Sequence, residues 1–191
     1  MSIRVVNETD PIEPTHLRLR RLLEPHHDRA LAFARCLARS TSDGDDLFQE
    51  ALLRSLGKLD GLRDDGAFRP WLYRVIVSVH RNRYRSSFWR RMLPFVSAPA
   101  SDARPDDLLA ADERARAALA ELPHEMREAI VLFEIEGWKV EEIAALLDVS
   151  VSAIKSRLAR GRDRLRVIYS ERFGVRDLRS SFSPGTPGVT R

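Results

Sequence analysis

Six cations, Lys155, Arg157, Arg160, Arg162, Arg164 and Arg166, run along residues 155–166 opposite an apolar stripe of Val151, Ile154, Leu158 and Leu165. Such groups do non-covalent chemistry: they pair with anions, and the planar guanidinium donates two parallel hydrogen bonds to a phosphate or a guanine edge. Just upstream, Val140, Ile143, Ala144 and Leu147 recur at the spacing of one buried helical face. Asp148, Val149 and Ser150 separate the two patterns, the length of a helix-turn-helix connection. A charged helix face is most often simply solvated. Here the run abuts a compact helix–turn–helix pattern, which favours a helix that enters the major groove of duplex DNA with one face packed and the other basic.

Two further groups carry polar chemistry. Asp46, Gln49, Glu50, Leu53 and Arg54 share one side of a helix; spacing alone reads them as a solvated face. Trp71, Tyr73, His80, Tyr84, Phe88 and Trp89 lie among Arg74, Arg81, Arg83, Arg85, Arg90 and Arg91. Aromatics interleaved with Arg are the composition of a single-strand groove, where bases stack and guanidinium groups hold the backbone. Trp71 reads as a core anchor and the Arg-rich end as the functional part.

No catalytic set assembles. His124-Glu125 opens like a zinc-protease helix, but Glu128 and Ala129 stand where the second histidine is needed. His26 and His27 are sequential and point different ways on a helix, and Glu134, Glu136, Glu141 and Glu142 read as exposed helix carboxylates. A glycine-rich phosphate loop is missing. The single cysteine, Cys36, excludes an intramolecular disulfide or a zinc site built on several thiolates; beside Leu31, Phe33 and Leu37 it reads as a small buried hydrophobe. The expectation is a non-enzyme with no metal and no cofactor.

These side chains need elements to position them. The chain has 191 residues, 43% hydrophobic and 31% charged with net charge +4, enough for one ordinary domain or two small ones with a real core. Residues 1–16, with Pro11 and Pro14 and no period, read as a flexible arm. A helical pattern follows from Leu17 to Arg39, interrupted at Pro25, then a turn cluster rich in N-cap candidates over Ser40–Gly44. A second helix starts at Asp45, with Leu47 and Ala51 inward, and a polar loop spans Asp60–Gly66. Pro70 opens a third helix; its valines Val75, Val77 and Val79 argue for strand, its length and the Trp71, Val75, Val79 spacing for helix. Pro94, Pro99 and Pro105 mark a linker over 91–107. Helices over Leu108–Leu122 and His124–Gly137 precede the helix-turn-helix, and the tail over 173–191 reads as disordered. The fold class expected is all-α: two small helical domains, 17–90 and 108–172, joined by a flexible linker. The amino terminus lacks the apolar core of a secretory signal and no run approaches bilayer length, so a cytoplasmic location without membrane insertion is expected.

The acidic-Gln-Glu helix, the Trp71-Leu72-Tyr73-Arg74 helix, the Pro-rich linker and a terminal E-I-A-x-x-L-x-V-S-V-S-A-I-K-S-R-L-x-R-x-R-x-x-L together resemble bacterial RNA polymerase sigma factors, in the small extracytoplasmic-function (ECF) group of the sigma-70 family. The resemblance covers Leu17–Arg85 and Leu108–Arg166. It implies that the first domain is region 2, which grips the clamp helices of the polymerase β′ subunit through Asp46, Gln49, Glu50, Leu53 and Arg54. The loop Leu62–Phe68 would hold a flipped-out promoter base, making the −10 set Leu62, Arg63, Asp64, Asp65, Phe68, Trp71, Ser78, Arg81, Asn82 and Arg85. The second domain would be region 4, reading the −35 element with Ser152, Lys155, Ser156, Ala159 and Arg160, while Arg157 and Arg162 hold phosphates. Glu128, Val131 and Leu132 would meet the β flap. Core polymerase, promoter DNA and an anti-sigma factor are the implied partners. Ser78, Asn82, Ser152 and Ala153 depart from residues common in the family, which leaves the promoter sequence open. An ordinary helix-turn-helix regulator acting without polymerase is the competing reading; it predicts tight sequence-specific binding by the free protein.

Overall fold

The computed structural model describes residues 13–92 and 107–174, with side chains described for 13–85 and 114–174. Residues 1–12, 93–106 and 175–191 lie outside, and with them nearly all of the expected arm, linker and tail, as do the side chains of Phe88, Trp89, Arg90 and Arg91. The described residues form eight α-helices with short 3-10 and π segments, and no strand.

In the amino-terminal unit, α1 (Thr15–Leu23) and α2 (His27–Leu37) join through a 3-10 turn, Glu24–His26, that contains Pro25. Leu19, Leu22, Ala30, Phe33, Ala34 and Leu37 are buried, the inward faces that their spacing predicts. The next helix, α3 (Thr41–Leu56), starts a full turn before Asp45. The Ser40 hydroxyl accepts from Asp43 N at 3.1 Å, so the polar cluster read as a turn is a cap plus a first helical turn. Likewise α4 (Phe68–Met92) begins two residues before Pro70, whose missing N–H costs nothing in a first turn. The valines of α4 are helical because Leu72, Tyr73, Ile76, Val77 and Val79 all enter the core: packing outweighs the propensity of branched side chains.

The carboxy-terminal unit comprises α5 (Asp107–Glu121), α6 (His124–Ile130), α7 (Val140–Leu147) and α8 (Val151–Phe173). The helix expected over 124–137 widens into a π segment at Val131–Ile135 and turns at Gly137, whose φ is +71°. Ala118, Leu119, Leu122, Ile130, Ile143, Leu147, Ile154, Leu158 and Leu165 make its core.

The two units touch along α2 and α4 on one side and α5, α6 and α7 on the other. This contact overturns one expectation. Glu136, read from spacing as an exposed carboxylate, is only 8% exposed and accepts a hydrogen bond from the Tyr73 hydroxyl at 2.6 Å. Glu134 is half-buried and paired with Arg162, whereas Glu141 and Glu142 are exposed as expected. Cys36 is half-buried against the core.

Gly44 sets how closely α3 lies on α2. A Cβ there would fall 2.5 Å from the Arg35 Cα, a backbone atom that can move only with its helix. At Gly61 a Cβ would meet nothing within 4 Å. Urea unfolding should therefore show Gly44→Ala losing about 1–3 kcal/mol and Gly61→Ala within about 0.5 kcal/mol of the parent; equal effects at both positions would mean that the α2–α3 approach is not set by this glycine.

Candidate nucleic-acid interface

The helix-turn-helix is built by local rules. Glu142 accepts from Lys139 N at 2.8 Å at the start of α7, and Asp148 ends that helix in the left-handed region at φ 56°, which reverses the chain within three residues. The Ser150 hydroxyl then accepts from Ala153 N at 3.1 Å and caps α8. Ile143, Ala144, Leu146 and Leu147 from α7 and Ile154, Leu158 and Leu165 from α8 are buried, with α7 packed on α8 and α4, and α8 packed on α6. Gly161 lets α8 approach α6 closely: a Cβ there would lie 2.9 Å from Ile130 Cγ1.

That packing leaves a definite face of α8 open. Ser152, Lys155, Ser156, Ala159 and Arg160 follow one another at helical spacing, and all are exposed. The six cations divide by what they touch. Lys155, Arg160 and Arg164 project from the surface, and the guanidinium of Arg160 reaches only the Ser156 carbonyl of its own helix, at 3.3 Å. Arg157 is folded inward, 13% exposed, with Glu125 at 3.2 Å. Arg162 pairs with Glu134 at 2.6 Å over the Phe133 ring, and Arg166 pairs with Asp163.

In the first unit, α3 exposes Asp46, Gln49 and Leu53 on one side; Leu53, 73% exposed, is the most exposed of the large hydrophobics among the described residues. Glu50 is half-buried between Arg54 and Arg83, each at 2.7 Å, and Arg83 also donates to the Asp46 carbonyl at 2.8 Å. The face that reads from spacing as merely solvated is thus braced from α4.

The −10 set scatters by depth. Leu62 and Phe68 are buried in the core, and Trp71 is half-buried against Phe68 with ring centroids 5.8 Å apart. Arg63, Asp64, Ser78 and Arg85 are exposed, and Asn82, half-buried, accepts from Arg85. Asp65 is held by Arg18 at 2.6 Å and Arg21 at 3.0 Å, and these partners keep its carboxyl below the ordinary carboxylate range. Arg18 also donates to the Leu62 carbonyl at 2.8 Å, so α1 fixes the shape of the loop. Sequence reasoning missed that bracing; an Arg one position from the buried Leu19 was its only signal.

Arg81 is half-buried and engaged rather than free at the surface. It donates to Glu128 at 2.8 Å, and His80 Nδ1 lies 3.3 Å from the same carboxylate, which has no exposure at all. Burial pushes the Glu128 carboxyl up, but His80 and Arg81 outweigh it and hold the pKa below its ordinary value. Val131 and Leu132, expected with Glu128 at the β flap, are also fully buried.

Comparison with known proteins matches this architecture. Residues 22–90 match the family described as Sigma-70 region 2, and residues 112–165 that described as Sigma-70, region 4. The ECF RNA polymerase sigma factor SigE of Mycolicibacterium smegmatis is 36% identical over 76% of this chain, which spans 59% of that relative's length. SigM of Mycobacterium tuberculosis is 34% identical over 75% of this chain and 73% of its own, and the ECF sigma-E factor of Escherichia coli 31% identical over 68% and 76%. Among solved structures, CnrH in complex with the cytosolic domain of CnrY superposes with TM-score 0.59 at 28% identity, covering 81% of this chain and 88% of that one. The sigma factor RpoE of Bartonella quintana in complex with the anti-sigma factor NepR gives TM-score 0.55 at 26% identity, covering 81% and 93%. The chain belongs to the ECF group of the sigma-70 family: it is an RNA polymerase sigma factor, a regulator of transcription initiation.

A carboxyl whose pKa is lower folded than unfolded stabilises the protein above its unfolded pKa, and that contribution disappears as pH falls through the folded value. Glu128 is in this position, and Asp65 and Glu13 shift the same way. The stability gap between the parent and Glu128→Gln, measured in urea, should therefore be large at neutral pH and close below about pH 4, as the carboxyl (ordinary pKa about 4.3) protonates. A gap that is constant with pH would show that no charge on Glu128 is at work.

Proposed function

We propose that the open face of α8, formed by Ser152, Lys155, Ser156, Ala159 and Arg160, reads the −35 element in the major groove. All five positions are exposed, across the helix from the buried stripe of Ile154, Leu158 and Leu165, and that observation carries the reading. Arg157 and Arg162 flank it, each with a carboxylate partner that a phosphate would have to displace. In the unit proposed as region 2, residues 17–90, the −10 strand is contacted by Arg63, Asp64, Ser78, Asn82 and Arg85 at the surface. Phe68 and Leu62 shape the loop from below, Trp71 lies at its edge and Asp65 is clamped behind it. The β′ clamp helices take the α3 face of Asp46, Gln49, Glu50, Leu53 and Arg54, where an exposed Leu beside acidic and amide groups suits a protein partner better than water.

Residues 108–172 form the unit proposed as region 4, with 1–16, 91–107 and 173–191 as arm, linker and tail. The chain carries no reaction of its own and works where polymerase does, in the cytoplasm; no described helix is long and apolar enough to cross a membrane. An anti-sigma partner is supported by the likeness to CnrH and RpoE, both solved with partner chains.

Run-off transcription with purified core polymerase and mapping of the start sites tests the reading: discrete starts at a shared promoter motif are expected, and no initiation above core alone would sink it. Replacing Lys155 or Arg160 with Ala should cost about 1–3 kcal/mol at promoters with the preferred −35 sequence, whereas an equal loss on scrambled upstream DNA would reduce both residues to phosphate contacts. In a core-binding assay the pair Asp46→Ala and Gln49→Ala should weaken assembly, and unchanged affinity would remove the α3 face from the polymerase interface.

A further inference from the structure

The loop between α3 and α4 is shaped largely from outside itself. Short 3-10 turns at Leu59–Gly61 and Asp65–Ala67 flank residues 62–64, of which Leu62 is buried and Arg63 and Asp64 form an exposed crest. Asp64 makes one local brace, its carboxylate accepting from Gly66 N at 2.9 Å. The other braces come from α1. Arg18 donates to the Leu59 carbonyl at 3.3 Å and the Leu62 carbonyl at 2.8 Å on one side of the crest. On the other side it donates to the Asp65 carboxylate at 2.6 and 3.1 Å. Arg21 donates to the second Asp65 oxygen at 3.0 Å, and the Thr15 hydroxyl to Asp60 at 3.2 Å.

These bonds do more for shape than for cohesion. The Asp65 side chain is 39% exposed, and ion pairs open to water contribute little to stability. The geometry is nonetheless specific: one planar guanidinium spans both turns, which the single ammonium of a lysine could not do. Its four bonds use all but one of the five N–H donors, so Arg18 has little left with which to contact a nucleic acid. A loop free to re-form around whichever base arrives discriminates less than one whose shape is set beforehand.

We propose that Arg18 is a positioning residue for capture of the −10 strand: it bridges the two turns and holds Arg63 and Asp64 in the shape that selects the unpaired base. The proposal rests on the reading of the loop Leu62–Phe68 as the segment that holds that base. Selectivity at −10 is then set in part by a side chain of α1 that does not itself touch the DNA. Removing the guanidinium frees one turn from the other, while Leu59, Leu62 and Phe68 stay buried beneath them. Discrimination between bases is lost before the fold is.

The test uses holoenzyme assembled from core polymerase and the full chain. Its affinity is measured for promoter DNA with an unpaired −10 strand of the sequence found by start-site mapping. Three further DNAs carry the other bases at the position where the parent discriminates most. Arg18→Ala should lower the preference for the favoured base about tenfold and leave core affinity and the dependence on the −35 sequence unchanged. An equal loss on all four DNAs would reduce Arg18 to a brace of the fold, and an unchanged preference would refute the proposal outright. Arg18→Lys keeps the stem and the charge but not the fork, and its preference should fall between those of the parent and Arg18→Ala. Parent-like discrimination by Arg18→Lys would show that charge suffices and that bridging the turns does not matter. Arg20→Ala, exposed on the same helix, should match the parent; a loss as large as at Arg18 would remove the bridge as its cause. A parent holoenzyme that prefers no base anywhere in the −10 strand would remove the loop reading itself, whereas a preference that survives Arg18→Ala removes only the role given to Arg18.

Discussion

One carboxylate without solvent sits at the junction of the two units. Glu128 on α6 has no exposure, and both of its charge partners, His80 and Arg81, come from α4 of the other unit. An ion left unpaired in such a place is destabilising by several kcal/mol, whereas the intact cluster contributes little over water. The geometry is therefore demanding without being strongly adhesive: α4 and α6 must meet in one register or not at all. Everything near the seam follows from that register, including Tyr73 on Glu136 and Arg127 on the end of α2.

The same economy of charge shapes the two interaction faces. On α8 the close approach at Gly161 and the buried stripe turn one side of the helix into framework, and Glu125 and Glu134 tie Arg157 and Arg162 to it. Lys155, Arg160 and Arg164 are left standing out, cations that a nucleic acid can meet without first breaking an ion pair to a neighbouring helix. On α3, Glu50 is fixed by Arg54 and Arg83, while Asp46, Gln49 and Leu53 stay open beside it. Each face combines anchored charges, which hold the helix in place, with exposed groups, to which the proposed function assigns recognition.

Much of this was legible in the amino acids alone. Hydrophobic spacing is a local property, so Leu19, Leu22, Phe33, Leu47, Ile143, Ile154 and Leu158 are buried as their periods predict. The helix-turn-helix connection at Asp148–Ser150 and the interruption at Pro25 were equally visible, because each is set by residues within a few positions of one another. Helix starts were legible to within a turn: Ser40 stands among the N-cap candidates of its cluster, but the first turn of α3 over residues 41–44 is hidden in the same run of turn-forming residues. Burial of charge was invisible. Glu136 has a helical carboxylate's spacing, but its partner Tyr73 lies 63 residues away; Arg81 belongs by composition to a nucleic-acid groove, yet its partner is 47 residues distant. No local pattern records such a pairing. The depth of a residue, as with the buried Leu62 and Phe68 of the loop proposed to meet the −10 strand, likewise depends on which neighbours arrive to cover it.

The most direct measurement is a double-mutant cycle across the seam, combining Arg81→Ala and Glu128→Ala in the full chain and reading urea unfolding at neutral pH. A buried pair that joins the two units should show a coupling of about 1–3 kcal/mol, the double variant losing less than the sum of the single ones. Additive losses, with coupling under about 0.5 kcal/mol, would mean that Arg81 and Glu128 do not meet in solution and that the two units are not held in this register.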